Sequence, residues 1–187
     1  MPTVTAGPPR RSLARKQAGQ SIVEFALIAP VMLIFLVAIA DFGRLYAAMV
    51  SIEAAGREAA DFAAFDANHW NGASNVATTL GEMTERACTA AAGSHLQDYA
   101  EPAGTLSHAN CTNPTMACEL EIPGGGSVDC ATYDGTAGCG DPDTEPPCVV
   151  HVRLDYTFHT FLGLPPLPAT VAFSRDSRFL ITSLTTP

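Results

Sequence analysis

Positive charge is scarce in this 187-residue chain, and it is unevenly placed. Lys16 is the only lysine. Before Gly19 stand Arg10, Arg11, Arg15 and Lys16 with no acid, a net +4; beyond it six arginines meet all 19 acids, a net −13. An acidic bulk of this kind excludes the basic footprint that nucleic acid requires. Charge of either sign is missing from residues 25–40, "FALIAPVMLIFLVAIA", and no comparable apolar run occurs elsewhere. With "QSIVE" before it, the segment is 21 residues, about 31 Å as a helix and close to the thickness of a bilayer core. Basic flanks stay in the cytoplasm. The expected arrangement is therefore a single-pass inner-membrane protein, N-terminus in the cytoplasm and the acidic remainder exported to the periplasm or beyond.

Catalytic signatures are equally absent. The five histidines, His69, His95, His108, His151 and His159, form neither H-x-x-x-H nor H-E-x-x-H. They are expected at the surface. No serine sits in a G-x-S-x-G elbow, and "PGGGS" is followed by no lysine, so it reads as a turn and not as a phosphate loop. Asp134, Asp141, Asp143 and Glu145 are hard oxygen ligands, but they miss the EF-hand spacing and read as a solvated loop. No nucleophile, base and oxyanion donor can be assembled. The chain reads as a non-enzyme with no cofactor, no metal and no small-molecule substrate.

Cysteine is present, and all of it on the acidic side: Cys88, Cys111, Cys118, Cys130, Cys139 and Cys148. None forms the C-x-x-C pair of a zinc site. An even number in a loop-rich exported domain points to disulfides, of which six cysteines allow 15 pairings. The sequence does not choose among them.

Three segments follow. Residues 1–19 are a basic, Pro-rich cytoplasmic leader, 20–65 a transmembrane helix with an extension, and 66–187 an exported α+β ectodomain. The helical pattern crosses the membrane surface: Phe42, Leu45, Tyr46, Met49, Ile52, Gly56, Ala60 and Ala63 recur at three- and four-residue steps and predict a packing face, and the small residues Ala47, Ala48, Ala54, Ala55, Gly56, Ala59 and Ala60 allow another element to pack closely. Glu53 and Arg57 are one turn apart and predict an ion pair. Pro30, inside the span, frees the carbonyl of Ala26 and is expected to bend or loosen the helix. "DANHWNGASN" (66–75) predicts a break, and 76–93 a second helix with Val76, Leu80, Met83 and Ala87 on one face. Strands are predicted at 115–122, 128–133, 149–161 and 171–181. In the third, Val150, Val152, Leu154, Tyr156 and Phe158 alternate with His151, Arg153, Asp155, Thr157 and His159. The expected fold is a long N-terminal helix, a second helix and a small antiparallel sheet.

One feature of the span is costly. Glu24 places a carboxylate near the start of a membrane helix, where it needs a partner. It stands five residues after Gly19 and is followed by Phe25. "GQSIVEFALIAPVMLIFLVAIADFGRLY" resembles the N-terminal segment of the TadE/TadG family of minor pilins and pseudopilins from tight-adherence (Flp) type IV pilus systems. The likeness rests on the glycine, the Glu-Phe-Ala, the central proline and the "DFGR" exit, and covers 19 to about 64. The short chain leans toward TadE. The resemblance implies a pilin-like fold, a prepilin-peptidase-type processing site at Gly19, Gln20, Glu24 and Phe25, and partners among other pilin or pseudopilin subunits, the assembly platform and prepilin peptidase. Cleavage after Gly19 would give Gln20 a free α-amino group within reach of the Glu24 carboxylate. Two competing expectations exist. Ala38 and Ala40 form the A-x-A of a signal peptidase I site, but the apolar run is long for a signal peptide, contains Pro30, and its helical pattern continues through Asp41. The other is a membrane-tethered binding or adhesion domain with no part in filament assembly.

Overall fold

The structure is a computed structural model and describes residues 18–93, 113–136, 138–140, 146–161, 163 and 168–182. Helix α1 spans Ala18–Ala64 and runs through Pro30 without interruption. A 3-10 turn at Ala67–Trp70 follows, then α2 at Ala73–Gly93. Four strands complete the fold: β1 (Thr115–Ile122), β2 (Gly126–Asp129), β3 (Val149–His159) and β4 (Thr170–Leu180). The chain divides into two compact units, one ending at Asp41 and the other beginning at Phe42. The α+β class, with a long apolar N-terminal helix, a second helix and a four-stranded antiparallel sheet, is as the sequence predicts.

Within the unit from Phe42 onward, the strands lie in the order β2-β1-β3-β4, every pair antiparallel. β1 and β2 form a hairpin around Pro123, Gly124 and Gly125, where Gly124 takes φ 73°. β3 buries Val150, Val152, Leu154, Tyr156 and Phe158, the alternate residues of an 11-residue strand with one face on the core. Asn113 lengthens the β1–β3 ladder. Its Nδ2 donates to Thr157 O at 2.9 Å and its Oδ1 accepts from Thr157 N at 3.0 Å, so its amide imitates a further peptide pair. The break between the helices is organised by Asp66, whose side chain accepts from Asn68 N as an N-cap. Trp70 then turns inward, wholly buried, and donates from Nε1 to Ala63 O at 2.8 Å.

Two boundaries differ from expectation by three residues or more. The second strand is predicted over 128–133 but covers only Gly126–Asp129; Cys130–Thr132 is a 3-10 turn, with the Asp129 side chain accepting from Ala131 N. Local alternation cannot register this, because a side-chain acceptor competes with the ladder for the backbone donor. α2 begins at Ala73, three residues before the predicted 76.

Cys118 is bonded to Cys130 and Cys139 to Cys148. Cys88 is disulfide-bonded too; Cys111 lies outside the described residues. The first bridge ties mid-β1 to the 3-10 turn that follows β2, and the second ties a loop to the residue before β3.

Candidate functional site

The first half of α1 is unlike any other element of the chain. From Ile22 to Ile39 its large apolar side chains are exposed on every side of the helix: Ile22, Phe25, Leu27, Leu33, Phe35, Leu36 and Ile39 each leave more than 60% of their surface uncovered. A helix that is apolar all round is stable only inside a core or a membrane. In water each such side chain would forgo about 1.5–3 kcal/mol of burial. This is the one candidate membrane span among the described residues. Pro30 is accommodated within it, as proline is where lipid and neighbouring helices are the surroundings.

Glu24 is the single acid of this run. The helix starts at Ala18, so Gly19 and Gln20 belong to its first turn and Glu24 lies one turn beyond Gln20. Residues four apart share a helix face, about 6 Å apart along the axis. The carboxylate thus projects from the side of α1 that carries Gln20, next to exposed Phe25. The arrangement suits capture of a cationic group at the helix start.

The second half of α1 lies on the sheet. The buried residues are Ala48, Ile52, Ala55, Gly56, Ala59, Ala60, Ala63 and Ala64. At Gly56 a Cβ would stand 3.3 Å from Ser177 Oγ and 3.6 Å from Leu154 Cδ1, so the backbone approaches β3 and β4 closely there. The packing face read from the sequence is divided by this arrangement. Ile52 and Gly56 are buried, Leu45 and Met49 half-buried, and Phe42 and Tyr46 exposed at 71% and 64%. Small residues let the helix sit near the sheet, so the alanine stripe docks and the larger side chains at Phe42 and Tyr46 stay outside. Arg57 pairs with Glu53 one turn earlier, both largely in solvent.

The polar residues elsewhere serve the scaffold. His151 is better covered than Arg153 and Asp155 on the polar face of β3; its Nε2 lies 3.1 Å from Asp176 Oδ1 on β4 and its Nδ1 4.0 Å from Glu119 Oε2 on β1. The cross-strand register that places Glu119 beside His151 was not legible in the sequence. Phe62 is sandwiched, with the His69 ring 4.6 Å and the Arg86 guanidinium 4.3 Å from its centroid. Asp134 accepts from the Thr136 hydroxyl at 2.6 Å and the Thr136 N–H at 2.9 Å. These bonds, the hydroxyl first, hold its carboxyl below the usual carboxylate value. Asp141, Asp143 and Glu145, the other acids considered for calcium, and His95 and His108 lie outside the described residues.

A family model described as TadE-like protein matches residues 19–61. This segment is TadE-like. The match opens at Gly19, takes in Glu24, Phe25 and Pro30, and ends within the part of α1 that lies on the sheet. The TadE-like segment is less than a quarter of the chain. No curated protein and no solved structure matches the chain.

Proposed function

We propose that the chain is a non-enzymatic minor pilin or pseudopilin that takes part in assembling a tight-adherence pilus. The observation that carries this reading is the TadE-like segment at 19–61, whose apolar half is uncovered on all sides around one near-terminal glutamate. Residues 21–40 hold the subunit in the inner membrane, with the basic leader in the cytoplasm and the acidic, disulfide-bonded domain outside. Assembly exchanges the lipid around α1 for the apolar helices of other pilin subunits. Van der Waals packing then replaces lipid contacts of similar polarity. Glu24 sets the register by pairing with an α-amino group, its own subunit's or a neighbour's, once prepilin peptidase has cut between Gly19 and Gln20. Such a pair in a low-dielectric setting is strongly orientation-dependent, and removing one partner leaves a buried charge at a cost of about 3–5 kcal/mol.

The competing reading, a tethered adhesion domain whose helix is only an anchor, parts company at Glu24. Under the assembly reading, Glu24→Ala and Glu24→Leu insert in the membrane as well as or better than the parent and yield cells without assembled pili. Immunoblots of membrane and sheared-surface fractions read both quantities. Normal piliation by either variant would end the register role. N-terminal sequencing of protein from native membranes checks processing independently, with Gln20 as the expected first residue.

A further inference from the structure

The sheet has two edges, and they are not alike. β2 is four residues long and runs straight into a 3-10 turn. β4 is 11 residues long and pairs residue for residue with β3, from Thr170 against His159 to Leu180 against Val149, with no bulge. It contains neither proline nor glycine. An edge of this kind leaves a row of peptide groups without a ladder partner.

Two hydrogen bonds that flank the ladder identify those groups. Thr160 N donates to Ala169 O at 3.0 Å, and Ile181 N donates to Cys148 O at 2.9 Å. Both pairs continue the β3–β4 register. Hydrogen-bonded and non-bonded pairs alternate along an antiparallel ladder, so the odd-numbered residues of β4 bond to β3. The peptide groups of Ala172, Ser174, Asp176, Arg178 and Leu180 point the other way, off the sheet. Their N–H groups make no hydrogen bond among the described residues. The next residue in the row shows that such a group can be filled: Thr182 N donates to Ala64 O at 2.9 Å, at the end of α1.

Charged side chains commonly guard an open edge. Here two of them lean inward across the sheet. Asp176 lies 3.1 Å from His151 on β3, and Arg178 lies 3.4 Å from Glu121 on β1. Arg175 differs. Its Nη1 donates at 3.1 Å to Ser174 O, one of the outward carbonyls, so the guanidinium sits at the open edge. Arg57, Arg86, Arg153 and Arg178 each face a carboxylate. Arg175 faces none among the described residues, in a chain with 19 acids.

We propose that the β4 edge receives an extended acidic segment of a partner protein, which adds to the sheet as a further antiparallel strand. Main-chain bonds to the outward peptide groups supply the affinity. A carboxylate opposite Arg175 takes the guanidinium in a charge-assisted pair and frees Ser174 O for the new strand. Phe173 and Phe179 are half-buried on the same face as Arg175 and favour apolar residues opposite them. The occupant therefore carries its acid between two apolar residues at alternate positions of one strand. The contact involves the sheet alone and depends on neither the span nor the proposed assembly.

The probe is an acetylated peptide amide, Thr-Val-Thr-Thr-Thr-Glu-Thr-Val-Thr, whose glutamate is set to meet Arg175. Full-length protein in detergent is titrated with it, and amide hydrogen exchange is read by NMR. Exchange is expected to slow at Ala172, Ser174, Asp176, Arg178 and Leu180, and to stay unchanged at Phe173, Arg175, Ser177 and Phe179, which already bond to β3. Ser174→Pro removes an outward N–H and spares the β3 ladder; it is expected to lose the peptide and keep the parent's melting temperature. Arg175→Glu is expected to lose the glutamate peptide and to bind the same peptide with lysine in its place. Unchanged exchange at the outward amides overturns the proposal. So does equal binding of the two peptides by the parent, because Arg175 would then choose nothing. Slow exchange at the outward amides without peptide, with a doubled mass by light scattering, assigns the edge to a second copy and overturns the acidic partner.

Discussion

Trp70 is the largest side chain wholly inside the sheet domain, and its position shows how one residue closes a helix junction. The Nε1–H satisfies Ala63 O, one of the carbonyls that the end of α1 leaves without an intrahelical donor. The ring meets Tyr133 edge-on at 6.2 Å. Trp70→Phe keeps most of the apolar contact but orphans the carbonyl, and is expected to cost about 1–3 kcal/mol. Chemical denaturation in detergent, followed by far-ultraviolet circular dichroism, reads the loss. Asp134 offers a case with a pH signature. Its ionised form accepts both Thr136 bonds, so its carboxyl is lowered on folding. The stability this provides is present above the ordinary carboxylate value and is lost as pH falls through the lowered, folded-state one. The stability difference between parent and Asp134→Asn is therefore expected at neutral pH and should shrink to nothing in strong acid. A difference that persists unchanged there would place the effect elsewhere. Neither residue was legible in advance: Trp70 lay in a stretch read only as a break, and Asp134 in one read as a solvated acidic loop.

At the scale of the element, α1 carries two different surfaces on one helical frame. Up to Ala40 the side chains are large and apolar all round; from Ala48 a stripe of alanine and glycine faces the sheet. Gly56 is a point of close approach, set against Ser177 and Leu154. Alanine there needs only a slight shift of the Ser177 hydroxyl and gains about 0.5–1 kcal/mol of helix propensity, so Gly56→Ala is expected near neutral. Gly56→Leu forces the helix off the strands and is expected to destabilise by about 1–3 kcal/mol. Thermal unfolding of the two variants in the same detergent separates them, and equal melting temperatures would mean the helix is free to lift. Periodicity found the helix, its length and its Glu53–Arg57 pair. It also found the small residues that dock, Gly56, Ala60 and Ala63 among them, but it put Phe42 and Tyr46 on the same face, whereas these stay exposed because the docking face is set by how closely two backbones can approach.

For the molecule as a whole, the sheet domain depends on its covalent bridges more than the apolar half of α1 does. The two pairs described close loops of 12 and 9 residues, each worth about 3 kcal/mol on a chain-entropy account. That is a large share of a domain's usual 5–15 kcal/mol. The apolar half of α1 has no such dependence, because its backbone bonds are made within the helix itself. Reduction of vesicle-bound protein is expected to open the β1–β4 amides to hydrogen exchange while those of 22–40 stay protected. Strand protection that survives full reduction would show that the core suffices alone.

The sequence by itself determined where the uncharged apolar run lies, that α1 continues past it, and which face of β3 turns inward. These are local properties: an uncharged run long enough for a bilayer, a 3.6-residue repeat, a strict alternation. The tertiary structure alone decided the strand order β2-β1-β3-β4, the Cys118–Cys130 and Cys139–Cys148 pairs, the placing of His151 between Asp176 and Glu119, and the nearness of Arg44 to Phe161. Each joins residues at least nine apart in the chain. Only the sheet register and the close seat of a small-residue helix bring such partners together, and no local pattern encodes them.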